Sequence, residues 1–368
     1  MVSEVYFAPL RATNPDESKA SRVRKLFEAA GFEDLIQEGD LTAIKLHFGE
    51  RGNDTYVSPV FVRQVVEKVK EGGGRPFLTD TSTLYAGSRQ NAVDHLITAI
   101  EHGFDYSAAG APLIIADGLL GRNFVEVEIG KKHLSKAKIA GDLAAANSMI
   151  VVTHFKGHGM AGFGGSIKNL GMGCAPPSGK ADQHIASQPV VVEEKCKGCG
   201  VCVAVCPESA SVLEGGKAWI DPEKCVGCGA CLVACPEGAM NLDWEKMPGF
   251  IERLIEYAFG AVLGKDGRVG FINFVINVTP DCDCVPWSDA PIVPDVGILA
   301  SKDPVAIDAA SRDLVNAQQG LATSALQSHI GKGEDKFRGI WPKVDGNLQI
   351  SYGEEIGLGS SKYRLIEI

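Results

Sequence analysis

With 368 residues, a formal net charge of −10 and 45% hydrophobic residues, the chain has the composition of an ordinary soluble globular protein with room for one large core or two smaller ones. The acidic balance argues against nucleic acid as a general partner, and no segment approaches the ~18 consecutive apolar residues of a membrane span. Met1–Phe7 carries an acidic residue and neither a basic n-region nor an apolar h-region, so no signal peptide is expected.

Val5–Pro9 reads as a strand and Asp16–Ala30 as a helix ended by Gly31. Leu41–Phe48 follows as a strand in which alternation puts Lys45 and His47 on one face. Ser58–Glu71 is a helix with Val62, Val65, Val66 and Val69 at helical spacing, stopped by three glycines. Pro76–Thr81 is a short strand bearing Asp80. An inward-facing lysine is unfavourable unless paired, which makes Lys45 beside Asp80 a candidate ion pair or substrate clamp. The alternative leaves both at a wet rim. Ser88 is a candidate cap for a helix through Ile100. Leu113–Ala116 and Val125–Ile129 read as strands, and the basic run from Lys131 to Lys138 as a solvated face. Met149–His154 is a buried strand. This rhythm predicts an α/β fold, with a mainly parallel or mixed sheet covered by helices.

The buried strand opens into HFKGHGMAGFGGSIKNLGMGC, from His154 to Cys174. Ligands usually bind where strands end at the carboxyl edge of an open α/β sheet. Gly157 to Gly162 satisfies G-x-G-x-x-G, but further glycines follow instead of a helix, and no strand ending in an acid comes about twenty residues on. The better reading is an anion nest of backbone amides at Gly162, Gly164, Gly165 and Ser166, with Lys168 nearby and Ser166 capping a short helix. A tight crossing where only glycine fits is the alternative.

Residues 196–235 then hold eight cysteines in two copies of C-x2-C-x2-C-x3-C-P, 29 positions apart. Three cysteines two residues apart wrap one [4Fe–4S] cubane in a tight turn, and the fourth thiolate reaches across to the other cluster. Cys196, Cys199, Cys202 and Cys235 are therefore expected at one cluster, and Cys225, Cys228, Cys231 and Cys206 at the second. Disulfides or two zinc knuckles are the alternatives. Val212–Ile220 reads as a hairpin turning at Gly215 and Gly216.

The α/β character returns with a helix near Pro248–Leu263 and strands at Val269–Val278 and Val296–Ala300. Ser301–Gln318 reads as a helix with Asp303 as cap and Pro304 in its first position. Cys174, Cys282 and Cys284 lie outside the repeat. If the strands before His154 and Asp281 share one sheet and one direction, these thiols and His154 or His158 converge on a third metal or a redox-active thiol site. The alternative is an inert, buried Cys174, with Cys282 and Cys284 facing opposite sides of an extended chain. Histidines 95, 102, 133, 184 and 329 show no ligand spacing.

Three stretches, HFKGHGMAGFGGSIKNLGMGC, TPDCDCVPWSDAPIVPDVGILASKDPVAIDAAS and GLGSSKYRLIEI, resemble the iron–sulfur proteins catalogued as domain of unknown function 362. The DCDC to DPVAID segment is the most specific part of a resemblance that spans nearly the whole chain. The simplest architecture is one discontinuous α/β domain, residues 1–189 and 244–368, with a two-cluster ferredoxin unit inserted at 190–243, and two independent flanking domains are the alternative; the resemblance supports the single domain and implies a site near Cys282, Cys284 and His154. It implies no particular substrate.

The chain is expected to be a cytoplasmic oxidoreductase, because such clusters are assembled in reducing compartments. A redox partner protein, a ferredoxin or similar carrier, would exchange electrons with the two clusters. A small-molecule substrate would meet a site built from Lys45, His154, Lys168, Cys174, Cys282 and Cys284. The rival readings are a non-catalytic electron carrier that docks a partner protein, and a helper in metallocentre assembly with the extra thiols holding metal in transit.

Overall fold

The computed structural model describes residues 2–265 and 267–368. Eight strands form one sheet: β1 (Ser3–Pro9), β2 (Leu41–Lys45), β3 (Arg75–Asp80), β4 (Leu113–Ile115), β5 (Ser148–His154), β6 (Val269–Val275), β7 (Gly297–Ser301) and β8 (Tyr363–Glu367). Their order is β8-β1-β7-β6-β5-β2-β3-β4. All run one way except β7, which is antiparallel to β1 and β6. Strands from both sides of residues 190–243 thus share one hydrogen-bonded sheet, with β5 and β6 in register from Met149 opposite Val269 to His154 opposite Phe274.

The central strands read as continuous apolar runs because helices cover both faces. In β5, Ile150 and Val152 pack into a layer with Val23, Leu26, Val62 and Val66 of helices Lys19–Ala29 and Pro59–Glu71. Met149 and Val151 point the other way, into a layer with Phe250, Leu254 and Val305 of helices Met247–Val262 and Pro304–Asn316. The last of these begins as expected. Asp303 accepts from the amides of Val305 and Ala306, and Pro304 occupies the first turn, where a missing N–H costs nothing.

Three local expectations change. The helix expected from Ser88 spans Ala92–Glu101 and is capped by Asn91, which accepts from the Asp94 amide; the Ser88 hydroxyl instead donates to Glu50. The strand at Phe124–Glu128 leaves the main sheet to pair antiparallel with Lys136–Ala140. That second strand lies in the basic run read as a solvated face. Its Ala137 and Ile139 are buried, while Lys136 pairs with Glu126 and Glu128 on the outside. Lysines on alternate positions hid a period of two.

Residues 189–242 form a smaller unit with its own apolar cluster, including Cys196, Cys202, Cys231 and Met240. Pro189–Val191 pairs with Met240–Leu242, and a hairpin joins Ser211–Glu214 to Lys217–Ile220. One backbone path is used twice. Gly198 and Gly227 both have φ +67°, Gly200 and Gly229 both have φ +77°, and a short helix follows each pair. These are left-handed conformations that glycine adopts without a Cβ penalty. Among the described residues no helix is long and apolar enough to cross a membrane.

Candidate functional site

A cavity of about 210 Å³ opens where β2, β3 and β5 end. Because the parallel strands finish at the same edge, their terminal residues Lys45, Asp80 and His154 all reach its wall. Lys45 lies on the face of β2 that meets the helix Ser166–Gly171. Its Nζ pairs with Asp80 Oδ1 at 3.0 Å and donates to Asn169 Oδ1 at 2.7 Å. Burial pushes the Asp80 carboxyl up, but the charges of Lys45, His47, His95 and Arg89 outweigh it and hold the group well below the usual range.

The wall is strongly cationic. Lys45, Arg89, Lys156, Lys168 and Lys180 line it against the single carboxylate of Asp80. Arg89 is fixed by Glu50 (3.1 Å), lies 3.1 Å from His47 Nε2, and donates to the Tyr85 hydroxyl at 2.7 Å. Lys180 donates to Thr81 Oγ1 and the Ala175 carbonyl, both at 2.6 Å. The Lys168 side chain makes no hydrogen bond or ion pair among the described residues, so its ammonium is the uncommitted donor. Burial and the Lys156 charge depress its pKa to about 7. Burial likewise lowers Lys180 to about 8, with Asp117 and Asp80 opposing. His47, His158 and His184 line the same wall, and burial depresses all three, so they stand neutral at pH 7. A space with these walls fits a small anion.

Two cysteines also reach the cavity, Cys228 from the small unit and Cys284 from the loop after β6. Cys284 is joined to Cys282 by a disulfide. The eight repeat cysteines form no disulfide, and the fold sorts them into two groups. Cys196, Cys199, Cys202 and Cys235 line one small cavity; Cys206, Cys225, Cys228 and Cys231 line another. Amides of Ala218, Ala210 and Ala239 donate to the sulfurs of Cys196, Cys206 and Cys235 at 3.2–3.3 Å.

Several expected participants sit elsewhere. Cys174 does not join the other two thiols. It lies in the apolar core, where burial raises its pKa to about 11, and the histidine that approaches Cys282 and Cys284 is His158. His154 borders the cavity but has both ring nitrogens committed, Nδ1 to Asp283 Oδ1 (2.8 Å) and Nε2 to the carbonyls of Ile276 and Asn277 (2.9 and 3.0 Å). These contacts tie it to the loop after β6.

The anion nest is filled from within. The amides of Ser166 and Ile167 donate to the two oxygens of the Asp308 carboxylate, at 2.8 and 2.9 Å. A Cβ on Gly165 would fall within 2.5 Å of that carboxylate. The Ser166 hydroxyl donates to Asn273, and the cap position belongs to Gly165. Gly162 is pressed against Gly346, and Gly164 packs on the stems of Lys156 and Lys168. This loop is therefore the tight crossing, and its anion is the protein's own. Of that set only Gly165 and Lys168 reach the open cavity, and only Lys168 brings a charged side chain to it.

Sequence reading passed over Arg89, Lys156, Lys180 and His184. Lys156 was findable, since His154, Lys156 and His158 alternate beyond a buried strand. Arg89 lies on a loop, and Lys180 and His184 on the short helix Pro177–His184, with no periodic signal.

No curated protein matches the sequence. The solved structure of the lactate racemase apoprotein from Thermoanaerobacterium thermosaccharolyticum is similar over 72% of this chain and 53% of that one, with 12% identity and a TM-score of 0.36. The chain thus spans about half the length of that protein, and a likeness at this level carries no functional argument. Residues 42–313 match the family described as Domain of unknown function (DUF362), and the chain belongs to that family.

Proposed function

We propose that the protein is a cytoplasmic oxidoreductase that exchanges electrons with a small anionic substrate held in the cationic cavity. The observation that carries this reading is that Cys228 lines the same cavity as Lys45, Lys156, Lys168, Lys180 and Arg89.

The donor set fits two [4Fe–4S] clusters. Each group of four thiols takes three from one tight loop and the fourth from the other repeat, and backbone amides point at sulfurs from outside the loops. Cys196, Cys199, Cys202 and Cys235 would hold one cluster near the surface, where Cys199 is exposed; Cys206, Cys225, Cys228 and Cys231 would hold the other beside the cavity. Such clusters, when bound, supply single electrons. The α/β body contributes the rest. Lys168 offers an unpaired ammonium to an anionic group, and Arg89 is locked in place by Glu50 and Tyr85. Lys168 and Lys180, with pKa values near neutrality, are suited to giving up protons as negative charge builds on a bound molecule.

The test is to reduce anaerobically purified protein and add small carboxylates and phosphate esters beside neutral analogues, following the visible absorbance of the clusters. Reoxidation by an anionic compound, suppressed in Lys168→Met with iron content unchanged, is the expected result. If no small molecule reoxidises the protein while a ferredoxin does so freely, the chain is a carrier and the proposal fails.

A further inference from the structure

The loop after β6 brings three soft donors together outside the cysteine repeat. Nitrogen of His158 and the sulfurs of Cys282 and Cys284 all lie within 4.8 Å of one another, and His158 and Cys284 both face the cavity. Their backbones are laced together. The Gly157 amide donates to the Thr279 carbonyl at 2.8 Å, and a Cβ on Gly157 would come within 2.2 Å of the Pro280 carbonyl oxygen. Trp341 Nε1 donates to that same carbonyl at 2.9 Å, and the Tyr85 hydroxyl donates to the Cys284 carbonyl at 2.9 Å. The loop is thus held from both sides, with the disulfide at the cavity wall.

A disulfide in a reducing cytoplasm is typically transient and redox-active, not structural. This one closes a loop of only one intervening residue, so it contributes little to restraining the unfolded chain. Neither argument suits a stabilising cross-link. Both suit a group that is opened and closed.

We propose that Cys282–Cys284 is a redox-active disulfide whose reduction creates, with His158, a three-ligand site for a soft divalent cation such as zinc. Reduction breaks the S–S bond: two electrons and two protons convert it to two thiols. The cation then displaces both thiol protons and is held by two thiolates and one imidazole nitrogen, and His158 gives up the Met160 and Ala161 amide bonds at its Nδ1 so that the ring can present a lone pair to the metal. The sulfurs must part to about 3.8 Å, as two thiolates on a tetrahedral zinc require. Because His158 and Cys284 line the cavity with Lys168, a fourth ligand would come from that space, such as an oxygen of an anionic molecule.

The source of the electrons in the cell, a low-potential one-electron donor acting through Cys228's cluster, rests on the function proposed above. The cytoplasmic placement behind the redox argument rests on it too, whereas the convergence of the three donors does not. A phosphine reduces disulfides without any cluster, and it therefore separates this inference from that reading.

The experiment uses the full chain with its complete iron complement. Thiols at 282–284 are measured by alkylation and peptide mass spectrometry before and after phosphine treatment, and zinc is then titrated in. Expected are blocked thiols and no added zinc before reduction, then two free thiols and one zinc per chain after it. His158→Ala should weaken zinc at least about tenfold, and Cys284→Ser should abolish the site, with cluster absorbance retained in both as the check on folding. Free thiols in the untreated protein, zinc taken up equally before reduction, or unchanged affinity in His158→Ala would each overturn the proposal.

Discussion

Gly227 lies directly against the carbonyl of His184: a Cβ at position 227 would come within 2.2 Å of that oxygen. Its counterpart in the first repeat, Gly198, meets the Gly216 carbonyl of its own hairpin at the same distance. One backbone path thus leans once on the small unit and once on the α/β body, beside a histidine that lines the cavity. Gly227→Ala adds a left-handed penalty to a backbone clash and should destabilise by about 2–3 kcal/mol. Gly238→Ala has φ +57° and open space, so only the conformational penalty of about 1 kcal/mol remains. Chemical denaturation of both variants measures the difference; equal losses would show that the contact with His184 does not hold the unit in place.

Lys45 and Asp80 are the buried pair on which the cavity floor rests. Lys45→Met strands a carboxylate whose low pKa depends on that ammonium, and should cost about 3–5 kcal/mol. Asp80→Asn in the same chain removes the stranded charge and should restore most of the loss. Additive losses in the double variant, read by denaturation, would show that the two are not coupled.

This pair also marks how much of the site was legible. Alternation along LTAIKLHF put Lys45 and His47 on one face, and an inward lysine called for an acid. Strand ends in a parallel sheet did the rest. The cysteine spacing likewise carried its own grouping, because each C-x2-C-x2-C run closes in one tight loop and its fourth cysteine meets the other repeat. Asp308 was not legible as the partner of the glycine loop. It sits on a helix 142 residues from Ser166, and nothing local distinguishes an amide nest that awaits a ligand from one filled by a distant carboxylate. The same long-range closure set His158, and not Cys174, beside Cys282 and Cys284.

Asp308 therefore makes a stability prediction and not an activity one. Its carboxylate accepts from Ser166, Ile167 and Asn273, all buried, and Asp308→Ala leaves those donors unmatched. The variant should lose about 2–4 kcal/mol in denaturation. Asp308→Asn, which keeps one acceptor oxygen, should lose less. If Asp308→Ala instead weakened anion binding at full stability, the loop would be a ligand site after all.

Anion binding in the cavity should weaken as pH rises from 6 to 9. Sulfate is a useful probe because its charge does not change in that range, so any pH dependence belongs to the protein. Burial and the Lys156 charge leave Lys168 with a pKa of about 7, and burial leaves Lys180 at about 8. Below pH 7 both are cationic; as pH rises the first loses its proton near 7 and the second near 8, and the attraction falls in two steps. His47, His158 and His184 are already neutral, Asp80 and Asp283 are held well below the usual carboxylate range, and Arg89 is raised. Lys168→Met should remove the lower step and weaken sulfate at pH 6 by the loss of one charge-assisted hydrogen bond, about 1.5–3 kcal/mol or roughly ten- to a hundredfold. Titration calorimetry at half-unit intervals reads both effects. A flat profile in the parent chain, or an unchanged lower step in the variant, would show that Lys168 does not meet the anion.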